Sequence, residues 1–236
     1  MKPAIITALG AITFSGASHA AVVISSTAPT TNIISSNNTG TTFSRLFDED
    51  RNANHARGQV FTLGAASGAN SAFQISAITI HKNGNQTFTN DTITLRVYEG
   101  TVAQWGAGTG HSTPIDGADY YVDTAVTPLD SEAFTLNGAI AGNSYVTFEL
   151  ATPIIANENS EFGFFLVYDE SAASSPDYFQ YNENGNSGRT AITETGHVVP
   201  GSRGMRYLVQ GTAIPEPSSI ILLGLSSLGL LLRRRK

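Results

Sequence analysis

Two aspartates and two asparagines alternate in the stretch LFDEDRNANH, as Asp48, Asp50, Asn52 and Asn54. In an extended segment alternate side chains share one side. Calcium takes about six to eight hard oxygen ligands, and such a row supplies four. The stretch is not an EF-hand, because Ala53 and Gln59 occupy the sixth and twelfth positions, where that loop needs Gly and Glu. Two readings stay open: a looser calcium loop of the kind found in β-sandwiches, and a solvated acidic loop with Arg51 as its internal counter-ion. Asp116, Asp119 and Asp123 form a second oxygen-rich cluster with the same two readings. Zinc is not indicated, since His55, His81, His111 and His197 follow no ligand spacing and the chain has no cysteine.

Aromatic residues offer a second chemistry. Sugars present apolar C–H faces with a polar rim, so an exposed aromatic platform flanked by polar groups can hold them. The only tryptophan, Trp105, shares a Gly- and Asp-rich stretch, 102–126, with Tyr120 and Tyr121. Tyr98 falls on the outward face of its strand. Trp105, Tyr120 and Tyr121 are the candidates for a glycan site. The competing reading makes Trp105 a plug at one end of the core.

Covalent and acid–base catalysis find little support. The run Gly185-Asn186-Ser187-Gly188 lacks the Asp and second Gly of a trypsin-like serine loop, and no G-x-S-x-G elbow occurs. Glycoside hydrolysis needs two carboxylates facing across a cleft. Glu149, Glu161 and Glu170 lie on or beside strands, but no spacing singles out a pair. No catalytic residue is assigned, and the chain reads as a non-enzyme.

The elements that must position these residues are strands. Period-two alternation places Ile93, Leu95 and Val97 on one face of 92–99, and Val146, Phe148 and Leu150 on one face of 144–150. Segments 59–63, 73–80, 133–136, 161–168, 177–181 and 205–210 also read as strands from their β-branched and aromatic content. Turns are expected at Asn83-Gly84-Asn85, Asn137-Gly138 and Asn184-Gly185-Asn186. No stretch of the body shows helical periodicity. The expectation is an all-β fold: one antiparallel β-sandwich, jelly-roll-like by strand count.

Both ends of the 236-residue chain read as processing segments. Lys2, the apolar stretch 4–14 and Ser18-His19-Ala20 follow the pattern of a secretory signal peptide over residues 1–20. The sandwich then occupies 21–213 as a single ectodomain. Without the two ends it keeps 8 basic and 18 acidic residues, a net charge of −10, with Lys82 as its one lysine. That balance excludes nucleic acid and anionic lipid as partners, both of which need a basic footprint. The absence of cysteine excludes a disulfide scaffold and a thiol nucleophile. Segment 214–236 holds Pro215, Glu216 and Pro217, then a 13-residue apolar run suited to a short hydrophobic helix, then Arg233, Arg234, Arg235 and Lys236 as a stop-transfer cluster.

This tripartite tail resembles the PEP-CTERM sorting signal, with its triad, short hydrophobic stretch and Arg-rich end in the same order. The resemblance implies handling by an exosortase, with the membrane engaged through the C-terminal helix before processing. It also implies a Gram-negative bacterium that makes exopolysaccharide, and a destination at the cell surface or outside. The body resembles the strand-rich ectodomains that precede such tails, in Gly58-Gln59-Val60-Phe61-Thr62, the strand 75–80 and the aromatic strand 162–168. The expected function is a structural or glycan-associated role in the exopolysaccharide matrix. The alternatives are an extracellular hydrolase acting on polysaccharide, and a purely structural matrix component without a specific ligand.

Overall fold

The computed structural model describes residues 19–47, 56–68, 70–100, 127–176, 178–184, 190–191 and 204–214. In chain order the strands are β1 (Ala21–Ser25), β2 (Ile33–Asn37), β3 (Thr42–Phe47), β4 (Ala56–Thr62), β5 (Ala72–His81), β6 (Gln86–Glu99), β7 (Asp130–Ile140), β8 (Tyr145–Asn157), β9 (Glu161–Asp169), β10 (Tyr178–Asn184), β11 (Thr190–Ala191), β12 (Gly204–Met205) and β13 (Tyr207–Ile214). They form a five-stranded sheet β1-β8-β5-β13-β2, a second of order β11-β4-β9-β6-β7, and a three-stranded sheet β12-β10-β3. Every pairing is antiparallel.

Strand order reveals the winding. Through β2, β4, β5, β6, β7, β8, β9 and β13 the chain visits first sheet, second, first, second, second, first, second, first. Within the sheets these eight lie as β2-β13-β5-β8 and β4-β9-β6-β7. This is the double Greek-key arrangement of a jelly roll, and the fold is all-β as the alternation predicts. β1 extends the edge beyond β8, and β11 extends the edge beyond β4.

The core follows from the alternation. Ile78 and Ile80 of β5, Val146 and Phe148 of β8, Ile93, Leu95 and Val97 of β6, and Phe162 and Phe164 of β9 all point between the sheets and are buried. Phe134 of β7 meets Phe148 edge-on with ring centroids 5.1 Å apart, joining the two layers. Phe61, Phe164 and Tyr207 make a second inter-sheet cluster, with centroids 5.7–6.2 Å apart.

The two ends of the sandwich differ. At one end, here the exit end, the β4–β5 and β8–β9 connections are stitched together by Leu63 N–H to Ser160 O at 3.0 Å and Glu158 N–H to Ser71 O at 3.1 Å. The last residue of β13, Ile214, accepts from Ser71 N–H there at 3.3 Å. At the other end, β10 lies across the gap between the layers and pairs with β3 and β12. Phe179 and Tyr181 of β10 and Leu46 of β3 are fully buried beneath this cap, in the same core cluster.

Two local expectations are corrected. Asn137-Gly138 is not a turn: both residues pair with β6, opposite Thr89 and Phe88, and the reversal comes later at Gly142 and Asn143. Gly138 does take the positive φ that drew attention to it, at 81°, but within the strand and next to the register shift between Thr89 and Asp91. Tyr98 points outward from its sheet as read, yet it is only 4% exposed, packed edge-on against Phe165 at 5.7 Å. It is not an open platform.

Candidate functional site

Polar side chains concentrate at the capped end. His81 ends β5, on the outer face of its sheet, and is buried. The Asn83 side-chain amide donates to Asn182 Oδ1. That contact orients the Asn182 amide, whose nitrogen then donates to His81 Nδ1 at 2.7 Å. The imidazole also meets the Tyr145 ring edge-on, with centroids 4.6 Å apart. Arg206 closes the group: Nη2 donates to the Tyr145 hydroxyl at 2.6 Å and Nε to Asn38 Oδ1 at 2.8 Å. Burial, and then the Arg206 charge, push His81 from 6.5 down to about 4. The ring is therefore neutral at physiological pH.

Lys82 is fully buried on the inner side of the cap, bridged to Tyr181 of β10. Its ammonium donates to Asn83 O at 3.1 Å and to Gly84 O at 2.5 Å, and lies 5.8 and 5.9 Å from the ring centres of Phe88 and Phe179. Desolvation lowers it from 10.5 to about 8. Backbone carbonyls replace water around the charge, and the rings add cation–π attraction. These contacts fasten the β5–β6 turn beneath β10. Gln86 fastens it again, donating to Tyr178 O at 2.5 Å and accepting from Gln180 N–H at 3.0 Å.

A buried carboxylate anchors the neighbouring turn. Asn90, with φ of 57°, lies in a bulge of β6 and turns Asp91 inward. Asp91 accepts from the Tyr168 hydroxyl at 3.1 Å, Ser171 N–H at 2.9 Å and Ser171 Oγ at 3.1 Å. Such a carboxylate is already satisfied and orders the start of the β9–β10 connection.

Chemically the groups around His81, Lys82 and Asp91 are sets of closed hydrogen bonds. The imidazole faces an amide, an aromatic ring and a guanidinium, and the lysine faces two carbonyls. That environment stabilises the cap.

Most sites expected from sequence fall outside the described residues: Asp48, Asp50, Asn52 and Asn54; Trp105, Tyr120 and Tyr121; Asp116, Asp119 and Asp123; residues 185–188; 1–18; and Pro215 to Lys236. The described residues that flank two of these stretches are informative. Phe47 of β3 pairs with Tyr178 and Ala56 of β4 with Val167, at the capped end. Gly100 donates to Glu161 O at 2.8 Å and Leu129 to Val97 O at 2.8 Å, at the exit end. The calcium candidate and the tryptophan stretch thus join the fold at opposite ends. Among the described residues, no group of three or more His, Asp or Glu is placed to hold a metal ion.

One group escaped the sequence reading. On the outer face of the cap, Phe43 and Arg45 of β3 stand opposite Asn182 and Gln180 of β10. The Arg45 guanidinium carbon lies 4.4 Å from the Tyr178 ring centre and 5.8 Å from that of Phe43. Phe43 is 53% exposed. The alternation in TFSRLF is the signal that could have found it, since period two puts Phe43 and Arg45 on one face.

Comparison with known proteins bears on the C-terminal segment. Residues 213–236 match the PEP-CTERM protein-sorting motif. The chain carries a PEP-CTERM sorting signal. PEP-CTERM proteins are bacterial proteins exported and handled by an exosortase for the cell surface or the exterior, which fixes the compartment in which this sandwich works. The match begins at Ala213, inside β13, so sorting segment and folded strand overlap at Ala213 and Ile214. No curated protein matches the chain. Among solved structures, one described as the structure of infectious bursal disease virus Gx strain is similar at 15% identity and a TM-score of 0.26, covering 92% of this chain and 42% of that one. This chain thus spans less than half of the viral chain, and a likeness this distant says nothing about ligand or assembly.

Proposed function

We propose that this PEP-CTERM protein is a component of the extracellular matrix of a Gram-negative bacterium, where its jelly roll has a structural or glycan-associated role. The observation that carries the reading is the sorting segment joined directly to a central strand: Pro215 follows Ile214, the last residue of β13. The sorting segment therefore follows the folded body directly in sequence. A net charge of −10 over residues 21–213 suits a soluble, matrix-dwelling body and disfavours adsorption to anionic lipid. Calcium, if bound through Asp48, Asp50, Asn52 and Asn54, would be a structural or ligand-bridging ion.

The test is retention of the exported protein on the producer's own exopolysaccharide, in calcium and then in EDTA. Saturable retention in calcium that is lost in EDTA supports calcium-dependent glycan association. Retention in both supports glycan association without the metal. No retention leaves the purely structural role, and shortening of the polysaccharide during incubation would replace the reading with the hydrolase.

A further inference from the structure

The first sheet treats the two halves of one edge differently. β1 pairs only with the capped half of β8, residues 145–149, so beyond Ala21 the edge is β8 itself. That half is protected. Its register shifts between Glu149 and Ile154, and Pro153 there has no N–H to offer. The Ala151 N–H is taken by both carboxylate oxygens of Glu132, reaching across from the other layer at 2.9 and 3.1 Å. Irregularity, proline and an inward-pointing charge are the devices that keep a sheet edge from pairing with another chain. The far edge, β2, sits beside a register shift of its own and has the polar sequence IISSN. β1 has none of these. AVVIS holds five consecutive register pairs with β8, without a charge, a proline or a shift, and no described strand pairs with its other side. Its apolar side chains are open on both faces. Val23, opposite Thr147 on the outer face, is 44% exposed, and Ile24, opposite Val146 on the inner face, is 46% exposed.

An open edge offers its backbone N–H and C=O groups to one more strand, and the side chains decide which strand fits. Those of β1 fit a second copy of itself. Laid antiparallel about Val23, two β1 strands set Val23 against Val23 and Val22 against Ile24. Exposed apolar side chains then cover each other on both faces, and the small residues Ala21 and Ser25 meet at the ends. The strand itself carries no charge, and Glu149 stands one strand further in, opposite Ala21. The repulsion that Glu149 and a body charge of −10 bring acts over distance and is screened by salt. The same patch serves both copies, so the contact closes as a two-fold dimer. We infer that β1 is a homotypic docking strand through which two copies join their first sheets into one. The pairing reverses one body against the other. Their Ile214 ends, where the sorting segments begin, therefore leave the dimer in opposite directions. Such a dimer links bodies tethered on facing surfaces, not neighbours on one surface. It goes beyond the matrix role proposed above, which does not depend on it.

The test is sedimentation of the exported full chain in nonionic detergent, over a range of concentrations at low and high salt. The expected result is a monomer–dimer equilibrium that tightens about threefold or more from low to high salt, the opposite of a charge-driven contact. Val23→Lys places on the edge the charge that natural edges use, and should weaken the dimer at least about tenfold. Ile155→Lys, at another exposed apolar residue on the protected half of β8, should leave it unchanged. Amide exchange over residues 145–149 should be the same in Val23→Lys and wild type, which shows β1 still docked on β8. A second measurement needs no loss of binding. The chain has no cysteine, so Val23→Cys introduces its one thiol, which the register places opposite itself with Cβ atoms about 5 Å apart. Mild oxidation should convert this variant, and not Ile155→Cys, to a covalent dimer. A wild-type chain that stays monomeric at every concentration and salt, with no covalent dimer from Val23→Cys, would overturn the inference and leave the matrix role to the polysaccharide test. A dimer that Val23→Lys leaves intact would also overturn it, by assigning association to another part of the chain. Loss of the dimer in Ile155→Lys would move the contact from the β1 edge to the outer face of the sheet.

Discussion

The Asn182 side chain donates to Nδ1 of His81 across 2.7 Å, so the ring nitrogen facing the cap is the unprotonated one. Protonating it would set two donors against each other beside the Arg206 charge, in a site already poor in water. His81 accordingly titrates at about 4 in the folded protein, against 6.5 ordinarily. The unfolded chain therefore takes up a proton below pH 6.5 that the folded one refuses until about pH 4, and stability falls across that window. Acidification from pH 7 to 4 should cost about 3 kcal/mol through this residue. Denaturant unfolding at both pH values should show the loss in wild type and little of it in His81→Asn. An equal loss in the variant would assign the acid sensitivity elsewhere.

Lys82 acts at the other end of the pH scale. Folding lowers it from 10.5 to about 8, so above pH 8 the folded protein releases a proton that the unfolded chain keeps. Stability should rise by about 2 kcal/mol between pH 7 and 9.5. Lys82→Met should abolish that rise, as read from urea midpoints at the two pH values.

Asp91 holds three donors from β9 and the turn after it. Asp91→Ala should destabilise by about 1–3 kcal/mol: the Ser171 N–H loses its acceptor, while the Tyr168 hydroxyl can still donate to Pro176 O at 2.7 Å and Ser171 Oγ to Thr89 O. Asp91→Asn keeps one carbonyl acceptor and should lose less. Amide exchange over residues 170–176 should accelerate in both variants, and in Asp91→Ala the more.

Gly58 is required by a close approach. A Cβ there would lie 2.3 Å from the Phe164 carbonyl oxygen and 2.8 Å from the Phe165 ring. Backbone cannot yield as a side-chain tip can, so Gly58→Ala should cost about 1–3 kcal/mol by forcing β4 from β9. Gly64→Ala, with open space around its Cα, provides the control for equilibrium unfolding.

Removing residues 215–236 should leave an exported, folded sandwich and abolish surface sorting, because β13 is complete at Ile214. Cell fractionation with an antibody to the body checks it. A truncated chain that still reached the surface would show that the PEP-CTERM segment is not the address.

The second half of the jelly roll was the most legible part of the fold. Strands such as β6 and β9 combine long alternation with β-branched and aromatic content, and both were expected near their observed positions. β2 and β3 escaped because IISSN is largely polar and TFSRLF, although its alternation puts Phe43 and Arg45 on one face, is short and has Leu46 and Phe47 adjacent. They become strands through distant partners, Tyr207 to Gln210 for β2 and Tyr178 to Glu183 for β3. The Asn137-Gly138 error has the same root: the pair permits a positive φ, and pairing with Phe88 and Thr89 decided how Gly138 uses it. At the cap, His81 and Lys82 gave no hint of their burial, since both are hidden by a β10 strand a hundred residues away in sequence. Arg45 was passed over because a lone arginine in a short strand is ordinary until the rings of Phe43 and Tyr178 are seen beside it.

The position of β13 also sets how the molecule bears load. A pull on the sorting segment acts at Ile214 along the axis of a strand bonded on both sides, to β5 and to β2. Antiparallel hydrogen bonds lie perpendicular to the strand, so a load carried between Ile214 and the opposite end strains them in shear, many at once. A strand at the sheet edge pulled sideways would instead release its bonds one by one. A load applied between the capped end and Ile214 therefore meets the mechanically strong direction of the sandwich, and forced unfolding is governed by the rate of that concerted rupture.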